Sequence, residues 1–249
     1  MNKRGKVVAS IEARMGSSRL PGKVLMDIQG KSALDRLVSR LELSRKIDDI
    51  ILATSSNSTD DILYDWAIER NIPVYRGSEH DVLDRVVNSH REMNTDIIVE
   101  ITGDCPLLDP EVIDLGVETF LSNDCDVVNN VRKPSFPQGA DIQVFKFNLL
   151  EKVSNEIFDS AVREHVSLYF YENPDIYKII HLIAPDSLKH PDLRLQLDYK
   201  EDLDFIREVY KNLEPQYGDK FGVKEIIDLI SLKPDIAELN KDCEEKPIR

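Results

Sequence analysis

Three cations and two glycines are concentrated in residues 13–23 (ARMGSSRLPGK), directly after an apolar run. The backbone N–H groups of Gly and Ser can donate to phosphate oxygens, and Arg14, Arg19 and Lys23 supply positive charge. The spacing matches neither G-x-x-x-x-G-K-[ST] nor G-x-G-x-x-G, which counts against a P-loop NTPase and a Rossmann dehydrogenase. The segment therefore predicts a phosphate-binding loop.

Carboxylates follow two later apolar runs. Asp104 lies in TGDCPLLDP (102–110), directly after DIIVEI, and Asp198 ends the alternating run RLQLD. A carboxylate that faces a triphosphate typically holds Mg²⁺, so we expect Asp104 to be a ligand of this cofactor. Asp198 either completes that site or caps the helix that follows. Asp109 is expected to cap a helix that begins at Pro110.

Charge limits the possible partners. The chain has 249 residues, with 32 basic and 46 acidic side chains, and its net charge of −14 argues against binding nucleic acid or an anionic membrane. Residues 1–23 instead hold six basic side chains and one acidic, a net charge of about +5. Because no run of 18 apolar residues and no signal-peptide pattern is present, we expect a cytoplasmic protein.

Short β-branched runs alternate with amphipathic segments, which predicts βαβ units and a mainly parallel sheet flanked by helices. Strands are predicted at 6–11, 50–54, 73–76, 96–101, 126–129, 141–145, 177–184 and 193–197. Helices are predicted at 31–43, 60–70, 81–93, 110–121, 147–156, 160–172, 201–212 and 223–232. No linker or repeat divides the chain, so we expect one domain over 1–249.

Six segments together resemble the nucleotide-sugar cytidylyltransferases, most of all the spore-coat polysaccharide biosynthesis protein F type, which is related to the CMP-Kdo and CMP-sialate synthetases. The segments are ARMGSSRLPGKVL, YRGSEHDVLDR, TGDCPLLDP, FPQGADIQVF, REHVSLY and RLQLDYKEDL. The resemblance implies an α/β, Rossmann-like nucleotidyltransferase (GT-A-like) fold with a mostly parallel mixed sheet. It also implies a homodimer, with 130–190 as an acceptor-binding or dimerisation subdomain.

The resemblance further implies roles for individual residues. The catalytic group would be Arg14, Arg19, Lys23 and Asp104, and the Mg²⁺ ligands would be Asp104 and Asp198. The nucleotide would be bound by Ala13, Arg14, Met15, Gly16, Ser17, Arg19, Lys23, Thr54, Ser55, Thr102 and Gly103. The acceptor would be bound by Gln138, Asp141, Gln143, Arg163 and His165. The chain departs from the family at Gln143, where an acid is common, and in LDYKEDL, where a VDTPEDL-like run is common.

The function implied is an Mg²⁺-dependent transfer of CMP from CTP to a sugar acid, sugar phosphate or polyol phosphate, with release of pyrophosphate, for surface glycan synthesis. The partners would be CTP and a small anionic sugar-like acceptor. Three alternatives stay open: a nucleotidyltransferase using another NTP such as GTP, a GT-A glycosyltransferase, and an inactive scaffold subunit. The RLPGK loop favours triphosphate binding over a glycosyltransferase, and Asp124 and Asp126 have D-x-D spacing but precede a predicted strand, so a D-x-D signature is not evident.

Overall fold

The computed structural model describes residues 4–244 of the chain. Lys3, counted above in the basic segment, lies outside them, as do residues 245–249. The strands are β1 Val7–Glu12, β2 Asp27–Ile28, β3 Lys31–Ser32, β4 Asp49–Ser55, β5 Val74–Gly77, β6 Ile97–Thr102, β7 Val127–Asn129, β8 Gln143–Lys146 and β9 Ile179–His181. The α-helices are α1 Ala33–Leu41, α2 Asp61–Glu69, α3 Val82–Glu92, α4 Pro110–Ser122, α5 Phe147–Glu156, α6 Ser160–Glu164, α7 Leu168–Glu172, α8 Lys200–Tyr217 and α9 Val223–Leu232.

Seven of these strands form one sheet in the order β5-β4-β1-β6-β8-β7-β9, and β2 pairs only with β3. All neighbours in the large sheet are parallel except β8, which runs antiparallel to both β6 and β7. The predicted mixed, mostly parallel sheet flanked by helices is confirmed. The chain leaves β1 toward β4 on one side and leaves β6 toward β7 on the other. The carboxyl ends of β1 and β6 are therefore a topological switch point, where open α/β sheets bind ligands.

Both faces of the sheet are covered, which explains why its central strand reads as a continuous apolar run. Val7, Ala9 and Ile11 of β1 pack with α1, α2 and α4 on one face. Ile98 of β6 packs with α3, α5, α6 and α7 on the other. Full burial of such a Val or Ile side chain is worth roughly 1.5–3 kcal/mol, so β1 fixes the position of the loop that follows it.

Side-chain caps start two of the helices that cover the sheet. Ser32 and Asp35 form a reciprocal capping box at α1. Asp109 accepts from the Glu111 N–H at 2.8 Å, which confirms its predicted role at the start of α4. No helix among residues 4–244 is both long and apolar enough to cross a bilayer.

Three sequence-based predictions of secondary structure were wrong. Residues 193–197 are not a strand of the sheet, because their only ladder contact is a single bridge between Gln138 and Arg194. Leu193, Leu195 and Leu197 alternate with polar residues because the leucine side chains pack against α8 and α9. The helix predicted over 160–172 is two short helices, because His165 leaves helical geometry with φ −115° and ψ 93°. The strand predicted over 177–184 is limited to β9.

Candidate functional site

The loop after β1 is folded back on itself by backbone hydrogen bonds. The N–H groups of Ser17 and Gly22 both donate to the Met15 carbonyl at 3.0 Å. Gly22 has φ +72°, a left-handed conformation that favours glycine. The Met15 N–H donates in turn to Asp60 Oδ1 at 2.7 Å. These contacts end the loop at Lys23, the first residue of a short 3₁₀ turn.

The loops after β1 and β6 touch directly. The Gly103 N–H donates to the Glu12 carbonyl at 2.9 Å. A Cβ atom at Gly103 would lie 2.8 Å from Ala13 Cβ and 3.0 Å from the Glu12 carbonyl oxygen. Any larger residue would therefore push the two loops apart, so Gly103 places Asp104 beside the predicted phosphate loop.

A single ammonium group joins the two predicted metal ligands. Lys23 Nζ lies 2.7 Å from Asp104 Oδ2 and 2.8 Å from Asp198 Oδ1. Burial by itself would lower the pKa of Lys23, but the charges of Asp104 and Asp198 outweigh it and raise that pKa overall. Burial would likewise raise the pKa of Asp104, yet Lys23 and hydrogen bonds from Lys23, Thr102 and Gln196 lower it. Both groups are therefore charged at neutral pH.

Asp198 belongs to a wider buried network that the sequence did not predict. Its Oδ1 also binds Arg19 Nη2 at 2.7 Å, and its Oδ2 binds Arg194 Nη2 at 2.8 Å. Arg194 Nε contacts Asp202 Oδ1 at 3.0 Å, and Asp202 Oδ2 accepts from the Asp198 N–H at 2.9 Å. Asp198 is 1% exposed and Asp202 is not exposed at all, so this network holds the Asp198 carboxylate in place. Asp202, in the first turn of α8, thus anchors Asp198.

The remaining nucleotide-binding candidates lie along the carboxyl ends of β1 and β4. Thr54 and Ser55 end β4 and are fully buried, and the Ser55 hydroxyl donates to Asp60. Arg14 points away from the carboxylate pair, with Nη1 3.5 Å from Glu79 Oε1. The structure thus brings Arg19, Lys23, Asp104 and Asp198 together and leaves Arg14 on a separate acidic partner. Asp60, which supports the loop, carried no signal in the sequence.

Gln138, Gln143 and Asp141, three of the acceptor-binding candidates, lie near this centre. Gln138 holds residues 193–195 through two backbone hydrogen bonds, 2.9 and 2.7 Å long. Gln143 Oε1 accepts from Ser167 Oγ at 2.8 Å and from the Tyr171 hydroxyl. The Asp141 carboxylate acts electrostatically on the pKa of both Cys105 and Tyr171.

Arg163 and His165 are placed differently. Arg163 Nε contacts Asp81 Oδ1 at 2.8 Å and Nη1 contacts the Ser154 carbonyl at 2.6 Å, so this guanidinium ties α6 to α3 and α5. His165 is half-buried in the turn between α6 and α7. The polar contacts of Asp104 and Asp198 within residues 4–244 involve neither Arg163 nor His165.

The D-x-D pair is engaged at the opposite edge of the sheet. Asp124 and Asp126 precede β7, whose amino end lies away from the carboxyl ends of β1 and β6. Asp126 Oδ1 binds Lys146 Nζ at 2.8 Å, and Asp124 pairs with Lys178. Both carboxylates are therefore paired with lysines at a distance from Asp104 and Asp198.

Comparison with known proteins supports the resemblance. A family model described as cytidylyltransferase matches residues 8–222. The spore coat polysaccharide biosynthesis protein SpsF of Bacillus subtilis is 36% identical over 91% of this chain and 95% of its own length. An uncharacterized protein of Methanocaldococcus jannaschii is 36% identical over 98% of both chains. More distantly, a 3-deoxy-manno-octulosonate cytidylyltransferase of Trichlorobacter lovleyi is 33% identical over 47% of this chain and 46% of its own.

The architecture is shared as well. A solved cytidylyltransferase structure from Leptospira borgpetersenii superposes with a TM-score of 0.89 at 29% identity, covering 98% of this chain and 100% of that one. The predicted nucleotidyltransferase fold and the predicted relationship are both confirmed.

Proposed function

Because the chain belongs to the cytidylyltransferase family and is thus a nucleotidyltransferase, we propose that it transfers CMP from CTP to a sugar acid, sugar phosphate or polyol phosphate in surface glycan synthesis. The observation that carries this proposal is the Lys23 ammonium held between Asp104 and Asp198 at the end of a phosphate-binding loop. This arrangement places positive charge and two carboxylates at one switch point, as transfer from a nucleoside triphosphate requires.

In the proposed reaction an acceptor oxygen forms a bond to the α-phosphorus of CTP. The bond from that phosphorus to the oxygen bridging to the β-phosphate breaks, and pyrophosphate leaves with the electron pair. Lys23 and Arg19 are positioned to turn from Asp198 toward the phosphates and neutralise the charge that develops there. Arg14 would do the same from the outer side of the loop once Glu79 releases it.

The residues present fit a magnesium ion. Asp104 and Asp198 already share one cation, Lys23 Nζ, at 2.7 and 2.8 Å, so their carboxylate oxygens converge on a common position. Among residues 4–244 no cluster of three or more metal-ligating side chains occurs. Mg²⁺ is commonly held by one or two carboxylates together with substrate phosphates and water, so two ligands suffice. When bound, the ion would supply charge stabilisation at the transferred phosphate.

The test is a pyrophosphate-release screen of four NTPs against sugar 1-phosphates, keto-sugar acids and polyol phosphates. We expect release with CTP, dependent on Mg²⁺. Release with GTP alone would contradict the donor assignment, and no release with any NTP would favour the scaffold alternative. The expected homodimer through 130–190 and the single domain over 1–249 are part of the same proposal, and light scattering in solution tests the dimer.

A further inference from the structure

A row of polar side chains crosses the sheet on the face covered by α3, α5, α6 and α7. Strand register aligns Ser10 of β1 with Glu100 of β6, Glu100 with Gln143 of β8, Gln143 with Asn129 of β7, and Asn129 with His181 of β9. Neighbours in register point to the same face of a sheet. Neighbouring side chains on this face, such as Ile98, Val127 and Phe145, are apolar and buried, so a row of five polar side chains there calls for a function.

Several atoms of this region are buried without a hydrogen-bond partner. They include Ser10 Oγ, Glu100 Oε2, Glu12 Oε1 and Arg85 Nε. Glu100 is 6% exposed and Arg85 2% exposed. A buried carboxylate oxygen or guanidinium N–H without a partner costs free energy, and native proteins rarely keep several of them close together unless another molecule satisfies them.

The polar row adjoins the reaction centre. Glu12 ends β1 immediately before the phosphate loop, and its carboxylate is close enough to Glu100, Arg85 and Asp104 for their charges to act on its pKa. Gln143 lies in register with Glu100 on the neighbouring strand β8, and its side chain accepts hydrogen bonds from Ser167 and Tyr171. An acceptor whose attacking oxygen lies near Asp104 would therefore extend over Glu100.

The charges of Glu12, Glu100 and Arg85 determine which functional groups of an acceptor can bind beside them. Glu12, Glu100 and Arg85 together carry a net charge of −1 when all are ionised. An acceptor's carboxylate or phosphate would disfavour the ionised form of Glu100, whereas a hydroxyl or ammonium group would donate to its unpartnered oxygen and stabilise that form.

We propose that Glu100 is a specificity-determining residue for the acceptor and binds a hydrogen-bond-donating substituent, hydroxyl or ammonium, on its carbon skeleton. This inference rests on the proposed function, because it deepens that function by naming a feature of the acceptor. Glu12 and Ser10 complete the acidic floor of the same subsite.

Direct binding tests the inference without turnover. The probes are glucosamine 1-phosphate, glucose 1-phosphate and 3-deoxy-manno-octulosonate, titrated calorimetrically into the full chain and into Glu100→Gln. We expect at least one probe to bind, and Glu100→Gln to weaken it tenfold or more while the Kd for CTP changes less than twofold. A larger loss with the amino probe identifies an ammonium donor, and equal losses identify a hydroxyl. Glu69→Gln is the matched control, because Glu69 is exposed and its ion pair within residues 4–244 is with its neighbour Arg70.

Thermal unfolding separates this role from a structural one. If Glu100 serves a ligand, Glu100→Gln without ligand unfolds at a higher temperature above pH 8, where Glu100 is ionised, because the unpartnered carboxylate is gone. A lower Tm, unchanged probe binding in the variant, or no binding of any probe to the natural chain would each overturn the inference. Probe binding that depends on Glu100, together with no pyrophosphate release from any NTP, would leave the subsite standing and reject the proposed function.

Discussion

At the scale of single residues, the carboxylates of the site are held by cations already present in the chain. Asp198 forms ion pairs with Arg19, Lys23 and Arg194. Asp104 forms an ion pair with Lys23 and accepts a hydrogen bond from the Gln196 amide at 3.2 Å. Lys23 is the one side chain bound to both carboxylates within the described part of the chain. Its removal therefore affects Asp104 more than Asp198.

Lys23→Met should lower kcat by roughly 10²–10³-fold, because the charge on the transferred phosphates loses one of its nearest cations. It should also lower the free energy of unfolding by about 2 kcal/mol, since Asp104 keeps only the neutral partners Thr102 and Gln196. Pyrophosphate release and urea denaturation measure the two effects. Lys31→Met is the matched control, because Lys31 makes an equally short pair with Asp219 away from the site. Equal losses in both variants would contradict the role of Lys23.

At the scale of elements, hydrophobic periodicity was sufficient for β1, β4, β6 and the helices around them, because both faces of those strands are buried. It was insufficient for residues 193–197, where an alternating pattern reports packing against α8 and α9. The break at His165 also has no signal of its own, since neither Pro nor Gly marks it. The loop after β1 and Asp104 were predictable from residue type, whereas Asp60, Arg194 and the anchoring role of Asp202 depend on contacts between distant segments.

The close approach of the loops after β1 and β6 predicts the effect of a single added methyl group. Gly103→Ala should lower the free energy of unfolding by about 1–3 kcal/mol and reduce kcat, because the Cβ atom displaces Ala13 or the Glu12 carbonyl and separates the two loops. Gly16→Ala is the control for stability, since its Cβ would approach only the flexible end of Glu79, at 3.3 Å. Thermal unfolding of both variants is the measurement, and equal Tm values would refute the steric argument.

The start of α8 orients Asp198 through Asp202. Asp202→Asn should lower the free energy of unfolding by about 3 kcal/mol, because the Arg194 charge loses a buried partner. It should raise the Mg²⁺ concentration required for half-maximal activity more than it changes the KM for the acceptor. Asp204→Asn, whose carboxylate is exposed and pairs with Lys200 at 3.3 Å, should leave both unchanged. A metal requirement unaffected by Asp202→Asn would mean that Asp202 is structural only.

At the scale of the whole molecule, the buried Glu100 makes stability depend on pH. Burial raises the pKa of Glu100 from its usual 4.5 to about 8. Burial also lowers the pKa of His90 from 6.5 to about 3, so His90 costs stability as pH falls below 6.5. Between pH 6.5 and 8 the His90 effect has ended, and the folded chain still keeps a proton on Glu100 that the unfolded chain releases.

The free energy of unfolding should therefore fall as pH rises from 6.5 to 8, by at most about 1.4 kcal/mol per pH unit from this residue, and level off above pH 8. Glu100→Gln should flatten this slope. Chemical denaturation at several pH values measures it, and an equal slope in the variant would show that another group is responsible.

In the free protein the Lys23 ammonium lies between Asp104 and Asp198, so it competes with any metal ion for these two carboxylates. A divalent ion could bind both carboxylates only after Lys23 has left them. The nucleotide phosphates would then provide new anionic partners for Lys23. The affinities for Mg²⁺ and for CTP should consequently rise together, each by the same factor in the presence of the other, as reciprocal coupling requires. Lys23→Met, although poorly active, should bind Mg²⁺ alone more tightly than the natural chain does.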